Sequence, residues 1–362
     1  MKATQMLHDL GQSLWLDYIT RGILDDGTLD GYIRDLSVTG LTSNPTIFDK
    51  AVTGSDAYDD QIAELREQGL EPEPLFFELA IADLRRAADS FKAVHEQTDG
   101  VDGMVSLEVS PKLAYDTEAT VKQAAELHAR AERPNLFIKI PGTPAGLPAI
   151  EQTIYAGVPV NVTLLFDSED HLAAADAYMK GIERRIADGL DPDVRSVASI
   201  FMSRWDVAAA KDGQPEELTN QLGIAVGRKA YAGYVEMLAS ERMQKLESEG
   251  GRPQRLLWAS TGTKDPDASD TLYIEAFASP NTVNTMPEDT LLVFADHGTV
   301  GEPMPPDGGD ADEVLAQFEQ AGIGVDALAE RLQKEGADAF VKSWEDLIGS
   351  ISSEAERLAS KG

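Results

Sequence analysis

Cysteine is absent from this sequence of 362 residues, and its absence excludes several kinds of site. A chain without thiols has no disulfide, no thiolate metal ligand and no cysteine nucleophile. Long apolar runs are missing too, since none approaches the roughly 18 residues of a membrane span. The first twenty residues lack the basic head, apolar stretch and small-residue cleavage site of a signal peptide. We therefore expect a cytoplasmic protein that does not associate with membranes.

Basic residues are scarce: the chain has 31 lysines and arginines against 63 aspartates and glutamates, and its net charge is −32. Such a chain is not expected to bind nucleic acid, because a phosphate backbone requires a basic surface. Any anionic substrate would need a locally positive pocket. Hydrophobic residues make up 42% of the chain, which is enough for a substantial folded core.

Motifs for metals and nucleotide cofactors are also missing. The five histidines are scattered without HExxH or HxH spacing, and neither a P-loop nor a GxGxxG fingerprint occurs. We therefore expect neither a metal nor a nucleotide cofactor. The tripeptide Asp296-His297-Gly298 follows the predicted strands in a loop-like context, so we do not expect it to be catalytic.

What is present is one alternation of short apolar runs and amphipathic helices, repeated through most of the chain. This alternation predicts parallel strands joined by helical crossovers, and about eight units favour a (β/α)8 barrel over a doubly wound sheet. The predicted strands are 13–18, 38–44, 103–110, 135–142, 158–166, 196–203 and 254–261, with a weaker eighth near 279–286. Helices are predicted, for example, over 118–131, 168–187 and 217–248.

We predict a single barrel domain over residues 1–362. The stretch 301–313 has the proline and glycine content of a loop. Two further helices are predicted over 311–333 and 337–360. We interpret residues 311–362 as C-terminal helices that pack on the barrel and not as a second domain.

Polar side chains interrupt the predicted strands on one face. Neighbouring side chains of a strand point to opposite faces. In seven of the predicted strands, one face has an apolar row and the other has one or two polar groups. In NLFIKIPGT, residues 135–143, Lys139 opposes Ile138 and Ile140. Barrel enzymes keep their active sites at the C-terminal ends of the strands. The polar groups near those ends are Asp17, Thr42, Asn44, Glu108, Lys139, Asn161, Thr163, Ser199 and Ser260.

A lysine inside a barrel and close to carboxylates suggests amine catalysis. Burial favours the neutral amine, which attacks a carbonyl to form a carbinolamine and then an imine. The protonated imine stabilises the carbanion that forms when a C–C bond breaks. The cycle needs proton transfers, for which Glu108 and Asp17 are candidates, while Thr163 can position a water. Asn44 and Asn161 can hydrogen-bond sugar hydroxyls. The alternative is that the lysine only forms an ion pair inside the barrel.

Several motifs resemble those of the transaldolase family. Its two signatures are closely matched by GLTSNPTIF (40–48) and FIKIPGTPAGLPAIEQTIYAGVPVNVTLLFD (137–167). Its intervening motifs resemble SLEVSPKLAYD (106–116), ASIFMSRWD (198–206) and WASTGTKDP (258–266). The resemblance runs from about residue 10 to 300. The longer, mainly bacterial subfamily is indicated by NTVNTMPEDTL (281–291).

The resemblance implies a barrel enzyme that transfers a three-carbon dihydroxyacetone unit without a metal or organic cofactor. The donor would be sedoheptulose 7-phosphate or fructose 6-phosphate, and the acceptor glyceraldehyde 3-phosphate or erythrose 4-phosphate, in the non-oxidative pentose phosphate pathway. By the same resemblance, Lys139 forms the Schiff base and Asp17 takes the proton from the sugar hydroxyl. Glu108 and Thr163 would hold the water that relays protons.

The resemblance also implies how the phosphorylated sugar is bound. Arg204 and Ser260 would contact the phosphate, for which the planar guanidinium is well suited. Many family members carry a second arginine two residues after this serine, where the present chain has Gly262. We expect Lys264 to take its place as a point charge, with an ordinary solvated loop lysine as the alternative. The predicted substrate-binding residues are Thr42, Asn44, Asn161, Ser199, Phe201, Arg204, Ser260 and Lys264.

Two other functions are compatible with parts of this pattern. A fructose 6-phosphate aldolase would release free dihydroxyacetone, but those smaller relatives typically have Gln in place of Glu108 and Tyr in place of Phe201. A barrel without catalysis, which binds sugar phosphates or serves in an assembly, would be expected to lose Lys139 or its proton-transfer partners. The sequence favours the transaldolase and leaves a homo-oligomer open.

Overall fold

Eight parallel strands, paired in chain order, close into a barrel in the computed structural model, which describes residues 1–360. The last strand pairs with both the seventh and the first, which completes the closure. Helices connect the strands, so the predicted (β/α)8 architecture is confirmed. The strands are β1 (Ser13–Asp17), β2 (Val38–Thr42), β3 (Val105–Glu108), β4 (Leu136–Pro141), β5 (Val160–Leu165), β6 (Ser196–Phe201), β7 (Arg255–Ala259) and β8 (Val283–Met286).

Helices fill the connections between the strands and continue after the last one. They are α1 (Ala3–Asp9), α2 (Arg21–Asp25), α3 (Thr28–Leu36), α4 (Pro45–Thr53), α5 (Asp59–Glu67), α6 (Pro72–Ser90), α7 (Lys92–Gln97), α8 (Thr117–Ala131), α9 (Gly146–Tyr155), α10 (Ser168–Ala187), α11 (Ser203–Lys211), α12 (Leu222–Ala239), α13 (Glu241–Ser248), α14 (Leu272–Ala276), α15 (Glu288–His297), α16 (Ala311–Gln320) and α17 (Val325–Ala359). Two short 3₁₀ helices cover Pro111–Leu113 and Glu216–Leu218.

The helix boundaries agree with the sequence predictions in two cases and differ in a third. The predicted helix 168–187 is α10, and the predicted helix 118–131 starts one residue earlier as α8. The prediction of one helix over 217–248 is wrong, because the segment divides into a 3₁₀ turn, α12 and α13. Ser240 separates the last two: its backbone is extended, and its side chain accepts a hydrogen bond from the Met243 N–H to cap α13.

The break between the two C-terminal helices was also predicted in the wrong place. The sequence suggested a gap at 334–336, whereas the chain breaks between α16 and α17, at 321–324. Gly322 has a φ of 87°, the left-handed conformation that commonly ends a helix. Gly336 remains helical inside α17. Residues 361–362 of the predicted C-terminal segment lie outside the described residues.

The barrel interior is filled below the level of the predicted lysine. Trp15 and Phe137 lie one layer beneath Lys139, and their ring centroids are 6.1 Å apart. Gly40 makes room for the indole, since a Cβ at this position would lie 2.5 Å from the Trp15 Nε1. This Nε1 donates a hydrogen bond of 2.7 Å to the buried carboxylate of Asp102. The packed floor directs any ligand to the C-terminal end of the barrel.

The longest helix, α17, lies across that C-terminal end. It packs against α4, α5 and α6 and also reaches β5. Trp344 anchors it through edge and tilted contacts with Phe76 and Phe77, with ring centroids 5.1 and 5.5 Å apart. None of the helices within residues 1–360 combines the length and apolar character needed to cross a membrane.

Candidate active site

The C-terminal ends of the strands surround a cavity of about 620 Å³. Two predicted residues, Glu108 and Asn161, lie behind its lining, where they contact Lys139 and Ser199 respectively. The other ten line the cavity directly: Asp17, Thr42, Asn44, Lys139, Thr163, Ser199, Phe201, Arg204, Ser260 and Lys264. The structure thus brings the predicted site residues together in one place, while their chemical roles stay predictions.

Lys139 has polar neighbours on both adjacent strands because of the strand register. Glu108 on β3 pairs with it on one side, and Asn161 on β5 on the other. The Lys139 Nζ lies 3.5 Å from Glu108 Oε1 and donates a hydrogen bond of 3.1 Å to the Ser43 carbonyl. Only 7% of the lysine side chain is exposed. The amine is therefore enclosed by protein, with the cavity as its access to a ligand.

Asp17 reaches the same cavity from the end of β1. It pairs with Thr42 of β2, whose Oγ1 donates a hydrogen bond of 2.7 Å to Asp17 Oδ1 and lies 2.6 Å from Thr285 Oγ1. Burial raises the pKa of Asp17 above its ordinary value, while the charge of Lys139 and the hydrogen bond from Thr42 oppose this rise. A carboxyl group with a raised pKa is suited to take up and return protons near neutral pH.

Glu108 and Thr163 each present a buried oxygen without a partner. The Oε2 of Glu108 and the Oγ1 of Thr163 have no hydrogen-bond partner within residues 1–360. Burial raises the pKa of Glu108, and the nearby Lys139 charge limits that rise. Buried polar atoms are normally hydrogen-bonded, so unsatisfied ones need a functional explanation. Both oxygens are available to bind a water molecule or a substrate hydroxyl.

The two asparagines of the site are held by different bonds. Asn161 donates from Nδ2 to Ser106 Oγ at 3.1 Å and accepts at Oδ1 from Ser199 Oγ at 2.7 Å. Asn44 lines the cavity, while its Oδ1 accepts from the Ile47 N–H and caps α4. Asn161 is therefore fixed within the inner wall, whereas Asn44 places the start of α4 at the rim.

Arg204 provides a partly buried positive charge to the cavity. Its guanidinium lies over the Phe201 ring, 4.8 Å from the centroid, and forms no hydrogen bond or ion pair within residues 1–360. Burial lowers the pKa of Arg204, although an arginine stays protonated in proteins. Ser260 lies nearby, with its Oγ 2.9 Å from Ser203 Oγ and its backbone in the left-handed region at a φ of 55°. This geometry suits an anionic group that the protein itself does not supply.

Lys264 lies next to Gly262, the position at which the resemblance predicts a second arginine. The Lys264 Nζ is 3.7 Å from the position that a Cβ on Gly262 would occupy, and both residues line the cavity. Its side chain is exposed and forms no ion pair within the described residues 1–360. The ammonium group therefore lies beside Gly262 at the cavity.

Comparison with known proteins identifies the family. A family model described as Transaldolase/Fructose-6-phosphate aldolase matches residues 14–351. The chain belongs to this family. It is 45% identical to the transaldolase of Saccharopolyspora erythraea, over 96% of each chain. It is 44% identical to the transaldolases of Frankia alni, over 97% of each chain, and Thermobifida fusca, over 98% of each chain.

Family membership confirms the resemblance that the motifs indicated, and the structure adds lining residues that the sequence reasoning did not name. Thr285 on β8 completes the threonine pair beside Asp17. The signal that indicates it is strand parity in VNTM, where Thr285 lies on the face opposite to Asn284 and Met286. Lys50 on α4, and Phe340 and Ser343 on α17, also line the cavity. No local sequence signal indicates these three, since their position depends on how the helices pack.

Proposed function

We propose that this protein is a transaldolase that transfers a dihydroxyacetone unit through a Schiff base on Lys139. The donor is sedoheptulose 7-phosphate or fructose 6-phosphate, and the acceptor is glyceraldehyde 3-phosphate or erythrose 4-phosphate. The observation that carries the proposal is a buried lysine beside two buried carboxyl groups, in a cavity that also contains the unpaired cation Arg204. Family membership supports the same reaction.

The cycle begins with attack of the neutral Lys139 amine on the C2 carbonyl of the donor. A carbinolamine forms, and loss of its hydroxyl as water gives the iminium ion. This dehydration requires a proton for the leaving oxygen, and Glu108 supplies it through a water held between Glu108 Oε2 and Thr163 Oγ1. The two oxygens support this role because neither has another partner within residues 1–360.

Carbon–carbon cleavage follows from the iminium ion. Asp17 takes the proton from the C4 hydroxyl, the C3–C4 bond breaks, and its electron pair moves into the iminium to form an enamine. The aldehyde phosphate leaves, and the enamine then adds to the acceptor aldehyde as Asp17 returns the proton. Hydrolysis of the new iminium ion, again through Glu108 and its water, releases the product ketose phosphate. The raised pKa of Asp17 supports proton exchange in both directions.

Phosphate recognition is assigned to Arg204, Ser260 and Lys264. Arg204 offers planar donors, Ser260 a hydroxyl, and Lys264 a point charge in place of the family's second arginine. The absence of protein counterions for the two cations within residues 1–360 supports their use for a substrate anion. In a chain with a net charge of −32, such local positive charge is needed to bind a sugar phosphate.

Transfer is preferred over simple release of dihydroxyacetone. In fructose 6-phosphate aldolases, the positions of Glu108 and Phe201 typically hold Gln and Tyr, and the resemblance of this chain is to the transaldolase pattern at both. The named relatives, at 44–45% identity over nearly the full chain, are all called transaldolase. A barrel without catalysis would not need to retain Lys139 and both carboxyl groups.

The proposed reaction also indicates which molecules the protein binds and where it acts. Soluble phosphorylated sugars are the substrates, and we propose that the protein acts on them in the cytoplasm without binding nucleic acid. A single-domain architecture and a homo-oligomer stay predictions. Light scattering coupled to size-exclusion chromatography measures the oligomeric state directly.

Reductive trapping tests the proposed function. Borohydride treatment in the presence of fructose 6-phosphate should attach a reduced dihydroxyacetone unit, and peptide mapping should locate it on Lys139. Absence of a covalent adduct, or an adduct on another lysine only, would contradict the mechanism. A paired assay of fructose 6-phosphate turnover with and without erythrose 4-phosphate then separates transfer from release, since a transaldolase depends on the acceptor.

A further inference from the structure

We propose that Gly336 of α17 is a positioning residue that keeps the guanidinium of Arg204 directed into the cavity. The proposal rests on the phosphate-binding role assigned to Arg204 under the proposed function. Because glycine has no side chain, position 336 leaves space for Arg204. Adding a side chain there is expected to weaken the binding of the phosphate and not the chemistry at Lys139.

The space around Gly336 is already filled by its neighbours. A Cβ at this position would lie 3.2 Å from Arg204 Nη1, 3.0 Å from Leu164 Cδ2 and 3.4 Å from Phe166 Cζ. The first two distances are shorter than ordinary van der Waals contacts between such atoms. Gly336 is helical, so its backbone conformation does not require glycine. Glycine is disfavoured inside a helix, so this position calls for a reason in packing.

Arg204 has little besides packing to fix its direction. It makes no hydrogen bond or ion pair within residues 1–360, and its guanidinium rests on the Phe201 ring. That ring is stacked on Phe166, with centroids 5.6 Å apart, and meets the edge of Phe340 at 6.4 Å. Phe340 follows Gly336 by one helical turn, so both belong to the face of α17 that closes this side.

The helix is held in place on both sides of Gly336. Gln333 Nε2, almost one turn earlier, donates a hydrogen bond of 3.2 Å to the Leu164 carbonyl. Ser343, two turns later, is hydrogen-bonded to Thr46 at 3.1 Å. These two hydrogen bonds oppose withdrawal of α17 to make room for an added methyl group. Leu164 is buried within the protein, whereas the Arg204 side chain borders the cavity, so we expect the guanidinium to be displaced more than Leu164.

The same helix contains a matched control. Gly349 also lies within α17, is exposed, and a Cβ there would have no atom within 4 Å. Gly336→Ala and Gly349→Ala make the same chemical change and the same gain in helix propensity. They differ in whether the new methyl group meets the buried cluster of Leu164, Phe166 and Arg204, and the double-mutant cycle below isolates the part due to Arg204.

The experiment compares both variants with fructose 6-phosphate and with dihydroxyacetone, which has no phosphate. For Gly336→Ala we expect the KM of fructose 6-phosphate to rise about fivefold, with kcat changed by no more than about twofold. A rise of this size corresponds to part of the free energy of one charge-assisted hydrogen bond. The rate of borohydride trapping with dihydroxyacetone should equal that of the unsubstituted protein, which also shows that the barrel is folded. Gly349→Ala should leave all three quantities unchanged.

A double-mutant cycle with Arg204→Ala distinguishes positioning from general disturbance of the site. Arg204→Ala should raise the KM, and Gly336→Ala should then add nothing in that background. An unchanged KM for Gly336→Ala alone, or the same additional factor in the Arg204→Ala background, would overturn the proposal. Failure of the proposed function itself would be visible separately, as absence of trapping or of transfer in the unsubstituted protein.

Discussion

Two buried clusters of charged residues in this molecule differ in how many of their polar atoms already have a protein partner. In the first, next to β1, Asp83 binds Arg21 Nε at 2.9 Å with one oxygen and accepts from Tyr58 Oη at 2.8 Å with the other. In the second, inside the barrel, Glu108 has one oxygen 3.5 Å from the Lys139 Nζ and another without a partner in residues 1–360. The first cluster is complete, because both carboxylate oxygens of Asp83 are bonded. The second is incomplete, because one oxygen of Glu108 has no partner in residues 1–360.

Burial alone does not separate the two clusters. Asp83 and Glu108 are both almost completely buried, and burial raises the pKa of both. What differs is whether each polar atom already has a protein partner and whether it lies near a cavity. A buried charge with all its bonds made contributes to structure, and removal of its partner is costly. A buried charge with bonds left open beside a cavity is available for chemistry.

Among the substitutions that leave Lys139 in place, Glu108→Gln has the largest expected effect, because it keeps the shape of the side chain and removes its acid–base function. We expect kcat to fall by about 100-fold or more, because proton relay during imine formation and hydrolysis is lost. Stability to urea should fall less than in the Asp83→Asn variant described below, since Gln fits the same space and Lys139 keeps its hydrogen bond to Ser43 and the nearby charge of Asp17. Steady-state kinetics and denaturation of the same preparation measure both. A variant with normal kcat would contradict the role of Glu108.

Asp83→Asn makes the same change of carboxylate to amide in the complete cluster. We expect this variant to lose stability and to keep its kcat. It leaves the partly buried guanidinium of Arg21 without its counterion, and we expect a loss of about 3 kcal/mol in the free energy of unfolding. The kcat of the folded fraction should stay within about twofold. Urea denaturation and kinetics at a temperature well below the unfolding transition test this. A large fall in kcat with unchanged stability would remove the contrast between the clusters.

We expect His171 on α10 to be structural, because its open hydrogen-bonding positions do not face the cavity. Both of its ring nitrogens are buried without hydrogen-bond partners in residues 1–360, and its ring packs edge-on against Tyr234 at 5.8 Å. Burial lowers the pKa of His171 to about 4, from an ordinary value of 6.5. Between these two values the unfolded chain binds the proton and the folded chain does not, so stability is lost as the pH falls from about 6.5 to about 4.

The variant His171→Phe should remove this part of the acid sensitivity while it preserves activity. The free energy of unfolding of the unsubstituted protein should fall by up to about 1.4 kcal/mol per pH unit more steeply than that of the variant in this range. Urea denaturation at pH 7 and pH 5 gives the difference. Equal slopes for the two proteins, or a loss of turnover at pH 7, would argue against a purely structural His171.

The smallest expected effect concerns Lys264, which is exposed and therefore screened by solvent and salt. Lys264→Met should raise the KM of fructose 6-phosphate by about fivefold, close to 1 kcal/mol, with kcat unchanged. The increase should shrink as salt is added. Lys211→Met, which removes an exposed lysine outside the cavity lining, is the control. Equal KM values for the two variants would favour the interpretation of Lys264 as an ordinary loop lysine.

Local sequence patterns were sufficient to predict the barrel and most of the polar residues inside it. Strand parity placed Asp17, Lys139 and Thr163 on one face, and the parallel register of β3 to β5 aligns Glu108, Lys139 and Asn161 as neighbours. These features are predictable because alternation along a strand and chain-order pairing in a barrel are fixed by backbone geometry.

The contribution of α17 could not be predicted in the same way. Gly336 lies in the predicted gap at 334–336, yet it belongs to a helix of 35 residues and is packed against Arg204 and Leu164. A glycine has the same local signature whether it ends a helix or allows close approach, and only tertiary contacts distinguish the two. The positions of Phe340 and Ser343 at the cavity likewise depend on the path of α17 over the barrel.

Replacement of Lys139 by methionine tests the central claim most directly. Lys139→Met keeps the length of the side chain and removes the amine, so the barrel should fold with an unchanged circular dichroism spectrum. Transfer of the dihydroxyacetone unit and borohydride trapping with fructose 6-phosphate should both fall to background. A folded Lys139→Met variant that still transfers dihydroxyacetone would contradict the account of the incomplete cluster as the catalytic centre.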